Sequence, residues 1–147
     1  MELILWRHAE AEDGSPDSAR KLTARGRRDA ERVAKWLAKR LPGKPRVLAS
    51  PARRAQETAS VLARHFETHA ALDVGAAPQA ILDAAGWPRT DDRPVVIVGH
   101  QPSLGAAAML ALTGKAAPLE LGKGALVWLE ARDGEILLRA AIAPDLL

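Results

Sequence analysis

The chain contains no cysteine and no tyrosine, and its aromatic content is Phe66 and four tryptophans. Without cysteine there is no disulfide framework and no thiolate metal centre, so nothing calls for an oxidising compartment. Long apolar runs are also missing. No stretch approaches the roughly 18 residues that cross a bilayer as a helix, and Met1-Glu2 leads into an apolar segment without a basic leader. A soluble, cytoplasmic chain with no membrane partner is the expectation. Phosphate-cradling glycine loops are lacking too. Thr113-Gly-Lys115-Ala has neither the upstream glycine nor the hydroxyl residue of a Walker loop, and no Gly-x-Gly-x-x-Gly or Gly-x-Ser-x-Gly occurs. Nucleotide-binding and serine-hydrolase readings therefore have no anchor.

What is present fits a single domain spanning residues 1–147, long enough for one sizeable core and free of repeats or linkers. The net charge is only +3, but Arg20 to Arg46 holds eleven Lys or Arg against two acids, Asp29 and Glu31. Such a run reads first as a solvated helix face, and more sharply as a docking surface for an acidic partner or phosphate-rich ligand. Nucleic acid is not expected, since no aromatic series interleaves with these charges and no recognition motif appears.

Three apolar stretches end in polar tips: Glu2-Leu-Ile-Leu-Trp-Arg7-His8, Arg46-Val-Leu-Ala-Ser50-Pro51 and Pro94-Val-Val-Ile-Val-Gly99-His100. Continuous apolar runs of this length mark strands covered on both faces, and ligands in such sheets gather beyond the carboxyl ends. Between them, Thr23 reads as the N-cap of a helix carrying Ala30, Val33, Ala34, Leu37 and Leu41 at helical spacing, stopped by Pro42-Gly43. Ser50-Pro51 reads as the cap and first position of a second helix running to Phe66. Arg53 and Arg54 in its first turn oppose the helix dipole unless an anion sits there. His65 and His69 have a metal-compatible spacing but lack any third ligand, so no metal site is assigned.

Leu72-Asp-Val-Gly75 suggests an edge strand, Gln79 to Ala85 a short helix, Gly105 to Leu112 a small-residue helix, and Asp91-Asp92-Arg93-Pro94 a loop. Ala125 to Ile142 with Asp133-Gly134 at its centre reads as a hairpin. The expected fold is α/β: a three-layer α/β/α sandwich with a mostly parallel central sheet.

Two histidines and several arginines on successive strand tips suit phosphoryl transfer, in which positive charge surrounds three equatorial oxygens and a nucleophile attacks in line. Arg7 and Arg54 would grip the oxygens. His8 would attack with an unprotonated nitrogen while its other N–H is held by an acceptor, and His100 would donate to the phosphoryl group. No cofactor and no metal ion is needed in that scheme.

Arg7-His8-Ala9, Ser50-Pro-Ala-Arg-Arg54-Ala-Gln-Glu-Thr58 and Gly99-His100-Gln101-Pro102 resemble the three signatures of the histidine phosphatase superfamily, which has the phosphoglycerate mutase-like fold. Asp17-Ser-Ala-Arg20-Lys-Leu22-Thr23-Ala-Arg-Gly26 further resembles the SixA-type phosphohistidine phosphatases. The resemblance implies His8 as nucleophile, Arg7 and Arg54 as phosphate ligands, His100 as completing the pocket, Arg20 as a further residue facing it, and Arg53 as a secondary charge. It also exposes a departure: Gly75-Ala-Ala-Pro78-Gln-Ala lacks the glutamate with which larger relatives protonate an alkoxide leaving group. A substrate whose leaving group is imidazole fits that lack, with Asp83 and Glu10 as the possible substitute acids. The implied partner is a phosphorylated protein, either a phosphotransfer domain or a phosphotransferase-system carrier. A small phosphorylated substrate, or phosphate-dependent binding without turnover, are the alternatives.

Overall fold

The structure, a computed structural model, describes residues 1–89 and 93–147. Its strands are β1 (Glu2–Arg7), β2 (Arg46–Ala49), β3 (Glu67–Thr68), β4 (Val95–Gly99), β5 (Leu126–Arg132) and β6 (Glu135–Ile142), and its helices are α1 (Ala24–Ala38), α2 (Arg53–Ser60), α3 (Pro78–Ala85) and α4 (Ser103–Thr113). The six strands form one sheet in the order β3-β2-β4-β1-β5-β6. The first four are mutually parallel; β5 is antiparallel to β1, and β6 is antiparallel to β5 and so runs with the first four. Strand side chains alternate between two cores. Leu3, Leu5, Leu48, Ile97, Val127 and Leu129 pack with Ile81 and Leu82 of α3 and Leu104 and Ala108 of α4. Ile4, Trp6, Val47, Val96, Val98 and Trp128 pack with Val33 and Leu37 of α1 and Ala55 and Ala59 of α2. The sheet is thus covered on both faces, which is why β1 and β4 read as unbroken apolar runs.

Register positions the tips. Arg7 lies opposite Gly99, and Ala49 opposite Val98. The His8 N–H then donates to Gly99 O (3.1 Å) and the Ser50 N–H to Val98 O (3.0 Å), so residues 8, 50 and 100 emerge together. Helix α1 starts where the sequence indicates, with Thr23 Oγ1 accepting from the Gly26 N–H. Gly26 has a second role: a Cβ there would stand 2.0 Å from Glu10 O, so only glycine lets α1 lie against the segment after His8. The hairpin turn places Asp133 and Gly134 at φ 53° and 78°, as a two-residue turn requires.

Three expectations are corrected. The second helix neither begins at Pro51 nor reaches Phe66; it spans Arg53–Ser60, and Ser50 spends its hydroxyl elsewhere. The edge strand is not Leu72–Gly75 but Glu67–Thr68, pairing with Leu48-Ala49 and anchored by Arg46 Nη2 to Glu67 Oε2 at 2.7 Å. Leu72 instead closes a 3-10 turn (Ala70–Leu72) and is buried in the core. Helix α1 ends at Ala38, short of Leu41 and Pro42-Gly43; His69, beyond α2, has its Nδ1 accepting from the Ala71 N–H at the start of that 3-10 turn. The loop expected at Asp91-Asp92-Arg93-Pro94 falls partly on Asp91 and Asp92, which lie outside the described residues. Among the described residues no helix is long and apolar enough to cross a membrane.

Candidate active site

Four of the five sequence-predicted residues converge at the tips of β1, β2 and β4. His8 and His100 are 8% and 4% exposed, with ring centroids 5.2 Å apart at 57°. The His8 Nδ1 lies 2.8 Å from Ala9 O. A carbonyl can only accept, so Nδ1 carries the proton and Nε2 has the free lone pair. Arg54 confirms this tautomer independently, because its Nε–H donates to His8 Nε2 at 3.3 Å. Burial, with His100, Arg54 and Arg7 adding to it against the opposing pull of the Ala9 carbonyl, lowers the His8 pKa to about 3. The ring is neutral at physiological pH with its basic nitrogen facing the Arg54 guanidinium.

Arg54, in the first turn of α2, is almost fully buried. Its Nη1 donates to Asp17 O (2.9 Å) and its Nη2 to Asp17 Oδ2 (3.1 Å). The anion that the dipole argument demands is here the Asp17 carboxylate. Arg7 extends from β1 to donate from Nη1 to Leu121 O (2.7 Å), and its Nε is buried without a partner. Burial lowers the Arg7 pKa, with Glu120 acting in the other direction. His100 Nε2 meets Ser50 Oγ at 2.7 Å, and that hydroxyl also accepts the Ala52 N–H (3.2 Å). Burial first, then Arg54, lowers the His100 pKa to about 4, against the opposing charges of Asp73 and Asp17.

Arg20 is not in contact with either histidine. It donates from Nε to Glu12 O (2.7 Å) and from Nη1 to Asp17 Oδ1 (3.0 Å), so it reaches the pocket through Asp17. Glu10 accepts from Thr23 Oγ1 (2.9 Å), at the N-cap of α1, and Asp83 accepts from Gln79 Nε2 (2.9 Å), one turn earlier in its own helix α3. The acids whose charge reaches His100 are Asp73 and Asp17. Sequence reasoning assigned no role to either, although Asp17 stands three residues before Arg20 in the quoted motif.

Thr58 was also legible only as a motif letter. Its buried hydroxyl accepts the Ala9 N–H (3.1 Å) and donates to Arg54 O (2.8 Å), tying the β1 tip to α2. Among the described residues no group of three or more His, Asp or Glu is placed to hold a metal ion.

The family model of the histidine phosphatase superfamily (branch 1) matches residues 3–77, which carry Arg7, His8 and Arg54. The chain belongs to the histidine phosphatase superfamily. An uncharacterised Picosynechococcus protein is 35% identical over 114 residues, covering 71% of this chain and 69% of that protein. Among solved structures, a protein histidine phosphatase SixA complexed with tungstate superposes at a TM-score of 0.79 with 23% identity, over 99% of this chain and 98% of that one. A phosphohistidine phosphatase SixA from Agrobacterium tumefaciens gives 0.78 with 26% identity, over 97% and 98%. A phosphoserine phosphatase mutant from Entamoeba histolytica, in complex with phosphoserine, gives 0.74 with 18% identity, over 99% and 98%. The fold is that of this superfamily's SixA type, and membership supports phosphatase activity.

Proposed function

We propose that this histidine phosphatase hydrolyses phosphohistidine on a protein through a phosphohistidine intermediate of its own. The observation that carries the reading is His8: Nδ1–H fixed on Ala9 O, Nε2 unprotonated and flanked by Arg54. In the first step Nε2 attacks phosphorus and the P–N bond of the substrate breaks; the substrate ring carries a proton on its other nitrogen, so the electron pair leaves on a neutral imidazole. In the second, water attacks the phosphorus on His8, the Nε2–P bond breaks with its electron pair returning to Nε2, and the protons of water pass to the released inorganic phosphate and to solvent. Arg54 and Arg7 hold the equatorial oxygens, and the buried, unpartnered Arg7 Nε is a donor that such an oxygen satisfies. His100 is neutral before substrate binds. With Ser50 donating to Nε2, its Nδ1–H points hydrogen-bonding capacity at the phosphoryl group, where developing charge strengthens the bond.

The choice of a P–N over a P–O substrate rests on the acids. Asp17 is bonded first to Arg20 and then to Arg54, which hold its carboxyl below the usual range. It is ionised at neutral pH and has no proton for an alkoxide. Glu10 and Asp83 are engaged away from the histidines. Imidazole departs without that help; an alkoxide forfeits about 10²–10⁴ in rate. The partner on this reading is a phosphotransfer domain or a phosphotransferase-system carrier, acted on in the cytoplasm.

The test compares phosphate release from a phosphohistidine-bearing protein and from phosphate esters, for wild type and His8→Ala, with no added metal. Rapid release from the P–N substrate that is lost in His8→Ala is expected. Clear preference for esters would replace this reading by a small-molecule phosphatase, and no turnover of either substrate would leave a phosphate-dependent binder.

A further inference from the structure

Five of the eleven basic residues between Arg20 and Arg46 share one face of α1 and its C-cap. Arg25, Arg28, Arg32, Lys35 and Lys39 follow a 3-4-3-4 spacing along α1 and its C-cap. At 3.6 residues per turn they occupy an arc of about 80° and a length of about 21 Å. All five are exposed, opposite the buried Ala30, Val33 and Leu37. Local helix physics disfavours this arrangement. Like charges three and four apart repel, and Arg25 stands in a first turn that contains no acid to match the dipole. The compensation is small: Asp29 lies 3.9 Å from both Arg25 and Arg32, while Arg28, Lys35 and Lys39 make no ion pair among the described residues.

The N-terminal half of the stripe opens on a cleft of about 460 Å³, whose opposite wall carries Lys123 and Pro144-Asp145. Lys123 also has no ion-pair partner among the described residues. The cleft contains none of the active-site residues, but chain neighbours of its lining touch the backbone at the β1 tip. Gly124, next to Lys123, donates its N–H to His8 O at 3.0 Å, and Gly26 of α1 abuts Glu10 O. Beside the acidic lining residue Asp145, Leu146 is 72% exposed and offers an apolar anchor.

We propose that this stripe, continued by Lys123, is the docking face for an acidic helix of the phosphorylated protein partner. The identity of the partner as substrate rests on the phosphatase reading; the chemistry of the face does not. Cations spaced three and four apart over 21 Å complement carboxylates at the same spacing on a second helix. A small anion is disfavoured, because the cations stand at the surface: the Arg25 and Arg32 side chains are 72% and 47% exposed. Nucleic acid lacks a stacking platform, since Trp36 is already engaged by Arg40 at 4.7 Å and by Trp128 edge-on at 6.0 Å. A lipid surface would need a broad apolar face along the helix, and the exposed Leu146 with a small groove at Trp36 and Leu147 does not supply it. Exposed charge of this kind acts mainly on the rate of encounter and falls with salt.

Calorimetric titration with an alanine-rich helical peptide of about 20 residues, glutamates placed at three-four spacing, tests the face directly. Wild type should bind it at low salt and lose affinity as salt rises. Arg28→Glu/Lys35→Glu/Lys123→Glu should weaken binding about tenfold or more and leave turnover of free phosphohistidine unchanged. Equal peptide binding by wild type and variant, or no binding by wild type, overturns the proposal. So does tighter binding of anionic vesicles or duplex DNA than of the peptide. If wild type binds the peptide in this residue-dependent way yet fails to hydrolyse phosphohistidine, the docking face stands and the phosphatase reading falls.

Discussion

Lowering the pH from 8 to 5 should destabilise the protein chiefly through His8 and His100. Each imidazole is buried, with pKa values lowered from 6.5 to about 3 and about 4. The unfolded chain binds these two protons as pH falls through about 6.5, whereas the folded chain stays unprotonated at both rings until far lower pH. In that window the unfolded state holds more protons, so folding stability rises with pH and is lost on acidification. At pH 5 the difference is roughly 1.5 pH units of unmatched protonation per ring, about 2 kcal/mol each and about 4 kcal/mol together. A domain of this size has about 5–15 kcal/mol to lose, so the effect is large. Urea unfolding at pH 8 and pH 5 measures it, with an unchanged m-value showing that the same transition is compared. The double variant His8→Asn/His100→Asn should show only a small remnant of the loss. Asp17, held low by Arg20 and Arg54, contributes below about pH 4, outside this window. A wild type equally stable at both pH values, or a double variant that loses as much as wild type, would refute the assignment of two neutral, buried imidazoles.

Thr58→Val removes the hydroxyl that accepts the Ala9 N–H and leaves that donor buried and unpaired; a loss of about 1–3 kcal/mol in urea unfolding is expected, with a fall in kcat as the β1 tip and α2 lose their tie. Gly26→Ala drives a methyl into Glu10 O and should cost about 1–3 kcal/mol, read as a lowered Tm with crystallographic displacement of residues 8–10. Ser50→Ala releases His100 Nε2 from its partner and leaves the Ala52 N–H without its acceptor; kcat/KM should fall about 10–100-fold, with a loss of about 1–3 kcal/mol in urea unfolding, and an unaltered kcat/KM would remove Ser50 from any positioning role.

Much of the site was legible because the chemistry is written at strand ends. Apolar runs of four to six residues cannot be solvated, so β1 and β4 announce themselves, and a parallel register then forces Arg7-His8 and Gly99-His100 side by side. The Thr23 cap and the Asp133-Gly134 turn were readable for a similar reason: each is a local solution to a backbone constraint. Ser50 shows where that logic stops. Its residue type suits a helix cap and its hydroxyl does accept the Ala52 N–H, but it also pairs with a buried histidine 50 residues away, and the chain enters α2 only at Arg53 with Ala52 as the N-cap. The edge strand moved for a non-local reason too, since the two residues that pair with Leu48-Ala49 are fixed by Arg46 and Gln56 reaching across to Glu67 and Thr68. Asp17 could be seen in a motif, but its grip on Arg54 depends on a loop folding back over α2.

By itself, then, the sequence determined which residues carry charge, which segments must be buried and which tips bear histidine, because those follow from side-chain chemistry and local periodicity. Only the tertiary structure decided which nitrogen of His8 carries the proton, which carboxylate occupies the Arg54 fork, and that Lys123 and Pro144-Asp145 face the basic stripe across a cleft. Each of those depends on distances between residues far apart in the chain, and a hydrogen bond or an ion pair is set by tenths of an ångström that no local pattern encodes.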